Sequence, residues 1–244
     1  MTITVYKKRL KMKIVFVRHG HPNYADDCLT EKGILQAKAA AERLKDEKFD
    51  AFFASTCGRA YETCEIIAER HGERENIVPL EFMREIGWGS YNKEEYTLFE
   101  NGHPWRCAAQ LVHDGERIMR LDWEESLPLF YNNKVKDYVR DKSAAFDEFL
   151  SELGYTRGGD YYRVGKPKYD RIMIASHAGS SSAVISHALN LPFPYFCRTF
   201  SPDFTSITVL DFSGEEGSLT SPKVALFGDA RHIADIVCEQ IISN

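Results

Sequence analysis

The sequence has no run of apolar residues approaching the roughly 20 that a membrane-spanning helix requires, and it has no repeat or low-complexity segment. It also lacks an excess of positive charge, since 31 basic residues face 36 acidic ones for a formal net charge of −5. The first absence argues against a membrane protein, and the second argues against general nucleic-acid binding. No apolar signal-peptide core follows the basic N-terminus, so we expect a cytoplasmic protein.

The six cysteines form no C-x-x-C pair, and in a chain of 244 residues we expect free thiols, not a disulfide framework. Walker-type and dinucleotide-binding glycine loops are also missing. Cys64 and Arg70 have the C-x5-R spacing of cysteine phosphatases, but the residues between them include two carboxylates and no glycine. His19-x-His21 could begin a metal site, yet acidic ligands are absent nearby and Arg18 would oppose a cation. We therefore expect no metal and no cofactor.

Buried strands and amphipathic helices alternate along the chain. This alternation predicts an α/β fold, with a mostly parallel sheet sandwiched by helices in three layers. The length suits a single domain over residues 1–244. Thr30 is a predicted N-cap, and Pro79 indicates an edge strand because it cannot donate to a ladder. The predicted strands lie at residues 14–17, 49–54, 78–83, 171–176, 206–212 and 223–227.

Between about residues 87 and 133 the periodicity is poor, and all three tryptophans occur there. We interpret this stretch as an insertion that covers the sheet edge, not as a separate domain. A long, aromatic-rich connection of this kind is commonly a lid or a binding loop. The alternative is a surface subdomain whose aromatic residues only fill its own small core.

Two buried strands, far apart in the sequence, end in histidine. Arg18-His19-Gly20 follows the first strand and Ser176-His177-Ala178-Gly179 follows a later one, while Arg59 stands in a third strand-to-helix turn. Ligands of open α/β sheets lie at this edge, so neighbouring strands would bring two histidines and two arginines together. Removing these groups from water is costly unless an anion sits among them. Phosphate suits the site because guanidinium forks match its oxygens.

Four separated motifs support a phosphate site. They are Arg18-His19-Gly20, Leu29-Thr30-x-x-Gly33-x-x-Gln36-Ala37, Ser55-x-x-x-Arg59-Ala60-x-x-Thr63 and Ser176-His177-x-Gly179. Each is common by chance, but together, in this order and on suitable elements, they are specific. With them the chain resembles the histidine phosphatase superfamily, also called phosphoglycerate mutase-like. The resemblance covers about residues 13–85 and 137–230 and leaves the insertion outside.

The resemblance implies a metal-independent phosphoric monoester hydrolase in which His19 is the nucleophile and forms a phosphohistidine. It also implies that Arg18, Arg59 and His177 hold the phosphoryl oxygens, His177 being counted among the catalytic residues. The chemistry agrees, because a neutral imidazole can attack phosphorus while paired arginines stabilise charge on the equatorial oxygens. We expect a small organic phosphate as the substrate and no nucleic-acid or membrane partner.

A proton donor for the leaving group is not part of these four motifs. One branch of the family carries an Asp directly after the second histidine, but here that position is Ala178. The other branch places a Glu near the start of the insertion, and Glu85 resembles that residue within an abbreviated motif. A partly desolvated, aromatic setting would raise its pKa toward usefulness. We predict Glu85 as the general acid, with Glu94 and Glu95 as alternatives.

The loop after Gly20 departs from the phosphoglycerate mutases, which typically continue with a Ser and then a Trp-Asn pair. This chain has His21-Pro22-Asn23-Tyr24-Ala25 instead, so Asn23 is a loose candidate for a phosphate ligand. The departure favours a phosphatase over a phosphoglycerate mutase-type phosphotransferase. A catalytically silent protein that binds a phosphorylated ligand is the third reading.

Overall fold

A six-stranded sheet forms the centre of the protein, of which the computed structural model describes residues 9–92 and 101–236. Its strands, in chain order, are β1 (Lys13–Arg18), β2 (Ala51–Ser55), β3 (Ile77–Leu80), β4 (Arg171–Ser176), β5 (Ile207–Asp211) and β6 (Lys223–Asp229). Their spatial order is β6-β5-β1-β4-β2-β3, so β3 lies at an edge, as Pro79 predicted. The first four strands of the chain run parallel, and β5 is antiparallel to both β1 and β6. The expected mostly parallel sheet is confirmed.

Helices cover both faces of this sheet because the residues of β1 alternate between two cores. Ile14 and Phe16 pack into one hydrophobic cluster, while Val15 and Val17 pack into a second one. The helices are α1 (Glu31–Leu44), α2 (Gly58–Glu69), α3 (Pro104–His113), α4 (Trp123–Ser126), α5 (Val135–Glu152), α6 (Ala178–Ala188) and α7 (Phe193–Thr199). The first cluster includes residues of α5 and α6, and the second includes residues of α1 and α2. The expected three layers are therefore present.

Local capping explains where α1 begins and where α5 ends. The Thr30 hydroxyl accepts a hydrogen bond from the Gly33 amide at 3.1 Å, which satisfies one of the unpaired donors at the start of α1. Gly154 follows α5 with a φ of +94°, the left-handed conformation that glycine adopts most readily. Within residues 9–92 and 101–236, no helix combines the length and the apolar character that crossing a membrane demands.

The region between residues 87 and 133 is more regular than its sequence indicates. Its described part contains α3 and α4, and a third hydrophobic cluster joins it to α5, α6 and α7. Trp123 and Phe130 lie in that cluster, whereas Trp88 is 38% exposed. Some aromatic side chains thus fill a core, and others remain on the surface.

Several short elements surround the main sheet. The loop predicted at His21–Tyr24 contains a two-residue strand, Pro22–Asn23, which pairs with Cys28–Leu29. A hairpin that the sequence analysis did not predict joins Tyr155–Gly158 to Tyr161–Val164, and Leu219–Thr220 extends it. Arg9–Leu10 pairs with Gly214–Glu215. Three 3-10 turns lie at Arg74–Asn76, Glu81–Met83 and Arg231–Ile233.

Candidate active site

The two strand-end histidines are neighbours because β1 and β4 are adjacent and parallel. Arg18 stands opposite Ser176 in their register, and the His19 amide donates to the Ser176 carbonyl at 2.8 Å. The imidazole rings of His19 and His177 therefore meet edge to face, with centroids 5.1 Å apart. Both side chains are buried, at 1% and 0% exposure. The sheet thus brings together the two histidines that the sequence placed 158 positions apart.

The hydrogen bonds of His19 define its tautomer. Its Nδ1 lies 2.7 Å from the Gly20 carbonyl oxygen, and because that oxygen can only accept, Nδ1 carries the proton. Nε2 is then unprotonated and accepts a hydrogen bond from Nε of Arg59 at 3.4 Å. Burial lowers the pKa of His19 to about 3, and the neighbouring Arg18 and Arg59 also lower it, so the ring is neutral near pH 7. Nε2 is therefore the nucleophilic nitrogen of the ring, and its lone pair faces Arg59 Nε.

Arg59 is oriented by Asp27, an acidic residue between β1 and α1. Its Nη1 donates to Asp27 Oδ1, and Asp27 Oδ2 accepts from the Gly58 amide at 2.8 Å. Burial opposes ionisation of Asp27, but its bonds with Gly58 and Arg59 outweigh that effect and hold its pKa below the usual range. The ring of Tyr24 lies 5.4 Å from the centre of the same guanidinium group. The sequence analysis did not identify Asp27.

Arg18 is held by the segment that follows α7. Its Nη1 donates to the Pro202 carbonyl at 2.8 Å, and its guanidinium carbon lies 4.1 Å from the centre of the Phe204 ring. Its buried Nε has no hydrogen-bond partner among the residues that the structure describes. Burial lowers the pKa of this arginine, although a guanidinium remains protonated in proteins. An unmatched donor on a desolvated cation is a favourable position for an anion.

His177 is a second buried, neutral imidazole. Its Nε2 lies 2.8 Å from the hydroxyl of Ser55, the first residue of the motif that also contains Arg59. Burial lowers the pKa of His177 to about 2, with further lowering by His19 and Arg59. His177 is the N-cap residue of α6, a helix whose Gly179 and Ser180 amides donate to Glu85.

The remaining motif residues hold the loop that follows His19. The Thr63 hydroxyl accepts from the Gly20 amide at 3.1 Å, and the buried Gln36 side chain accepts from the His21 amide at 2.7 Å. A Cβ on Gly20 would lie 2.5 Å from the Gly33 carbonyl oxygen, and a Cβ on Gly33 would collide with the His21 carbonyl. Glycine is required at both positions because the backbone of Gly20 and His21 is in direct contact with that of Gly33.

Glu85 lies against the N-terminus of α6. Its Oε1 accepts from the amides of Ile86 and Ser180, both at 2.9 Å, and its Oε2 accepts a longer bond of 3.3 Å from Gly179. Burial raises the pKa of Glu85 above its usual value, and the three amides and Arg18 offset only part of that effect. Because Oε1 is already used twice, Oε2 is the oxygen with room to carry a proton.

Three of these groups line a cleft of about 330 Å³, and the two buried histidines lie behind its surface. Arg18, Arg59 and Glu85 line it together with the first turn of α6 and a group of aromatic side chains. The full lining comprises Arg18, Tyr24, Arg59, Glu85, Ile86, Trp88, His103, Trp105, Ala178, Gly179, Ser201 and Pro202. Among the described residues, no group of three or more His, Cys, Asp or Glu side chains is placed to hold a metal ion.

Asn23 is not brought into this cleft. Its side-chain amide donates to Asp26 at 2.8 Å and its carbonyl oxygen accepts from the Ala25 amide at 3.1 Å, which stabilises its own loop. Its role as a phosphate ligand remains a prediction. Glu94 and Glu95, the alternative proton donors, lie outside the described residues.

Comparison with known proteins identifies the family. The family model described as histidine phosphatase superfamily (branch 1) matches residues 14–130. A phosphoglycerate mutase of Schizosaccharomyces pombe is 41% identical over 144 residues, which cover 52% of this chain and 68% of that protein. A probable phosphoglycerate mutase of Proteus mirabilis is 24% identical over 240 residues, with 94% of this chain and 99% of that protein covered.

The fold has a solved counterpart as well. A mutant phosphoserine phosphatase from Entamoeba histolytica, in complex with phosphoserine, superposes with a TM-score of 0.61 at 20% identity, covering 91% of this chain and 99% of that one. The four sequence motifs supply the residues that position His19 and the side chains around it. Sequence family, sheet topology and site geometry lead to one conclusion: the chain belongs to the histidine phosphatase superfamily, branch 1.

Proposed function

We propose that the protein is a phosphomonoester hydrolase that acts on a small organic phosphate through a phosphohistidine intermediate. The observation that carries the proposal is the state of His19, whose buried ring is neutral and whose unprotonated Nε2 faces Arg59. Arg18, which lines the neighbouring cleft, supplies a second cation. A nucleophile without a proton, next to two cations, is what attack on a phosphoryl group requires.

In the first step, the lone pair of His19 Nε2 attacks phosphorus, and the bond between phosphorus and the ester oxygen breaks. Arg18, Arg59 and His177 hold the charged phosphoryl oxygens as they pass through the transition state. The departing alkoxide takes the proton that Glu85 carries on Oε2. Glu85 suits this role because burial raises its pKa and thereby keeps more of it protonated.

In the second step, water attacks the phosphorus of the phosphohistidine. The Glu85 carboxylate, having given up its proton, removes one from the water, and the bond between phosphorus and Nε2 breaks. The electron pair returns to His19, and inorganic phosphate leaves. One carboxyl group can serve both steps because each step restores the protonation state that the other needs.

A phosphoglycerate mutase is the second candidate, because relatives matched over 240 and 202 residues carry that name. A mutase must bind a carboxylate and two phosphate groups, which calls for several cations. Among the described residues that line the cleft, the only arginines or lysines are Arg18 and Arg59, and in the proposed mechanism both hold the phosphoryl group. The small number of cations favours hydrolysis.

Acid-quenched protein that has been exposed to a labelled phosphate ester tests the intermediate. We expect an acid-labile, base-stable phosphoryl group on the wild type and none on His19→Ala. Labelling that persists unchanged in His19→Ala would exclude this nucleophile. Release of inorganic phosphate, measured against interconversion of 2- and 3-phosphoglycerate in the presence of a bisphosphate primer, separates hydrolase from mutase.

A chelation experiment tests the absence of a metal from the reaction. Because two arginines already neutralise the phosphoryl charge, hydrolysis should continue after exhaustive treatment with EDTA, and vanadate should inhibit it as a phosphate-like anion. A strict requirement for Mg²⁺ or Zn²⁺ after chelation would contradict this mechanism.

A further inference from the structure

One wall of the cleft is built of aromatic rings that the phosphoryl chemistry does not use. The His103 ring lies between two tryptophans, with centroids 4.7 Å from Trp88 and 5.6 Å from Trp105. All three side chains line the same cleft as Arg18, Arg59 and Glu85. Trp88 retains 38% exposure, so a large apolar ring faces solvent next to the reaction centre. We call these three residues the aromatic wall.

The aromatic wall is held in place by a buried asparagine. Asn133, which is 0% exposed, donates to the Gly102 carbonyl at 2.8 Å and accepts from the Gly89 amide at 3.3 Å. It thereby ties together the two segments that carry Trp88 and His103. These hydrogen bonds hold the two segments in one arrangement. A surface that is already ordered loses little conformational entropy when a ligand binds to it.

A second support lies behind Trp105. Its ring contacts Phe193, at a centroid distance of 6.3 Å, and Phe193 in turn contacts Trp123 at 5.8 Å. Phe193 and Trp123 both belong to the hydrophobic cluster that joins the region between residues 87 and 133 to α7. The aromatic wall is therefore the outer surface of a packed core.

Resting on the proposed hydrolase activity, we propose that the leaving group of the substrate carries an uncharged, planar aromatic group that packs on the aromatic wall. Two observations support this. The wall presents ring faces and edges next to the phosphoryl site, and aromatic groups pair with such surfaces in stacked or edge-to-face arrangements. Beyond Arg18 and Arg59, the described lining offers no arginine or lysine to receive a carboxylate on the leaving group.

The central comparison is between two esters that carry a planar or a puckered six-carbon ring on the same ethyl linker. The kcat/KM of phosphate release is measured for 2-phenylethyl phosphate, 2-cyclohexylethyl phosphate and 3-phosphoglycerate, with p-nitrophenyl phosphate as the general probe of hydrolysis. The first two release primary alkoxides of similar basicity, so their ratio reports binding rather than leaving-group chemistry. We expect a preference for the phenyl ester of roughly 2- to 12-fold, the equivalent of the about 0.5–1.5 kcal/mol that an aromatic pair adds to area burial.

Variants assign that preference to the aromatic wall. Trp88→Leu keeps an apolar side chain and should reduce the ratio of phenyl to cyclohexyl ester toward one, while Trp88→Phe should retain most of it. Tyr161→Leu is the matched control, because Tyr161 is also an exposed aromatic residue, 50% accessible, on the hairpin outside the cleft lining. The control should leave the ratio unchanged.

The outcomes separate this inference from the proposed function. If no ester, including p-nitrophenyl phosphate, releases phosphate, the hydrolase proposal fails and the inference fails with it. If phosphate is released but the phenyl and cyclohexyl esters react equally, or 3-phosphoglycerate is preferred to both, only the inference is overturned. An equal loss on every ester in Trp88→Leu, with the ratio intact, would likewise overturn it, since Trp88 would then be structural.

Discussion

A histidine attacks phosphorus only through an unprotonated nitrogen, and two features keep Nε2 of His19 in that form. The Gly20 carbonyl at 2.7 Å holds the ring proton on Nδ1, and burial lowers the pKa to about 3. The backbone therefore selects the tautomer, and the surrounding protein removes competition from protons. No titration of this residue is expected to limit the reaction near neutral pH.

Replacing Glu85 with glutamine tests the proton donor. An alkoxide leaves poorly without a proton, and general acid assistance typically contributes roughly 10²–10⁴-fold. A nitrophenolate leaves readily without such assistance. Glu85→Gln should therefore lose far more kcat on an alkyl phosphate than on p-nitrophenyl phosphate, and the fall in wild-type rate at high pH should disappear.

The ratio between the two esters is the decisive quantity for Glu85, because hydrolysis of the phosphohistidine also needs a base and some loss is expected on both. Burial raises the pKa of Glu85, so the alkaline fall in wild-type rate should lie above the ordinary range for a glutamate. Equal losses on both esters would indicate a positioning role and would redirect the search to Glu94 and Glu95.

Asp27 offers a second prediction at this scale, as a positioning residue for Arg59. Its carboxylate accepts from Arg59 Nη1 and from the Gly58 amide, and this leaves the guanidinium Nε directed at His19. Asp27→Asn keeps an oxygen acceptor but removes the charge. We expect kcat/KM to fall on the order of tenfold on every ester, since small misplacements of a catalytic group are costly.

The neighbouring Asp26 supplies the matched control for Asp27. It is an exposed carboxylate that accepts a hydrogen bond from the Asn23 side chain. None of the hydrogen bonds in the described part of this loop joins Asp26 to Arg59. Asp26→Asn should retain wild-type kcat/KM. A comparable loss in both variants would mean that the loop as a whole, and not the orientation of Arg59, determines activity.

The sequence was sufficient to predict Arg18, His19, Arg59 and His177 as neighbours, because each follows a short apolar run that ends at the same edge of a parallel sheet. Asp27 could not be predicted in this way. It lies in an irregular loop, adopts a positive φ of +49°, and reaches Arg59 only through tertiary folding. Residues whose placement depends on such contacts leave no periodic signal in the chain.

At the scale of elements, the N-terminus of α6 receives Glu85 only because residue 179 is a glycine. A Cβ there would lie 2.5 Å from Glu85 Oε1 and would also collide with Ile86. Gly179→Ala should therefore displace the carboxyl group and reproduce the ester-dependent loss expected for Glu85→Gln. Alanine is otherwise favoured in helices by about 1 kcal/mol over glycine, so the loss would not reflect a weaker helix.

The matched control for Gly179 is Gly158, where an added Cβ meets no atom within 4 Å. Gly158→Ala should leave the rates on both esters unchanged. If Gly179→Ala also keeps wild-type rates on alkyl phosphates, the close approach of Glu85 to α6 has no part in catalysis.

The elements that the sequence did not reveal are short. The buried residues of α3, Pro104, Cys107, Ala108 and Leu111, do recur at helical spacing, but the helix has only 10 residues and lies in a stretch where aromatic residues serve both a core and a cleft. The hairpin at Tyr155–Val164 buries Tyr155, Tyr162 and Val164 against the main core, while Thr156, Arg157, Asp160 and Arg163 between them are polar. By contrast, β1 and β4 were predictable because a strand buried on both faces appears as a continuous apolar run.

At the scale of the whole molecule, the sheet and its cores provide one side of the cleft, and the region between residues 87 and 133 contributes the other. The strand ends carry Arg18, His19 and His177, whereas Trp88, His103 and Trp105 come from this region. Superfamily membership predicts the chemistry of the first part, and we expect the second part to determine selectivity. Under the proposed function, this division is how a chain that resembles mutases in sequence acts as a hydrolase.

The two buried histidines also make global stability depend on pH. Burial holds the pKa of His19 at about 3 and that of His177 at about 2, whereas an unfolded histidine titrates near 6.5. Between these values the unfolded chain binds protons that the native protein does not. Stability is therefore greatest above the unfolded pKa and falls as the pH decreases below about 6.5, with a limiting slope of about 1.4 kcal/mol per pH unit for each histidine.

Urea unfolding of the wild type and His177→Gln at pH 7 and pH 5 measures this effect. Between pH 7 and pH 5, the free energy of unfolding of the wild type should fall by about 2 kcal/mol more than that of the variant. The variant lacks one of the two histidines that stay neutral in the folded protein. Ser55→Ala is the control, since it removes the hydrogen-bond partner of His177 at 2.8 Å but keeps the imidazole. It should lower the free energy of unfolding at both pH values and preserve the wild-type difference between them. Parallel losses in the wild type and His177→Gln would mean that His177 binds a proton in the folded protein, which would contradict a neutral pair of histidines at the phosphoryl site.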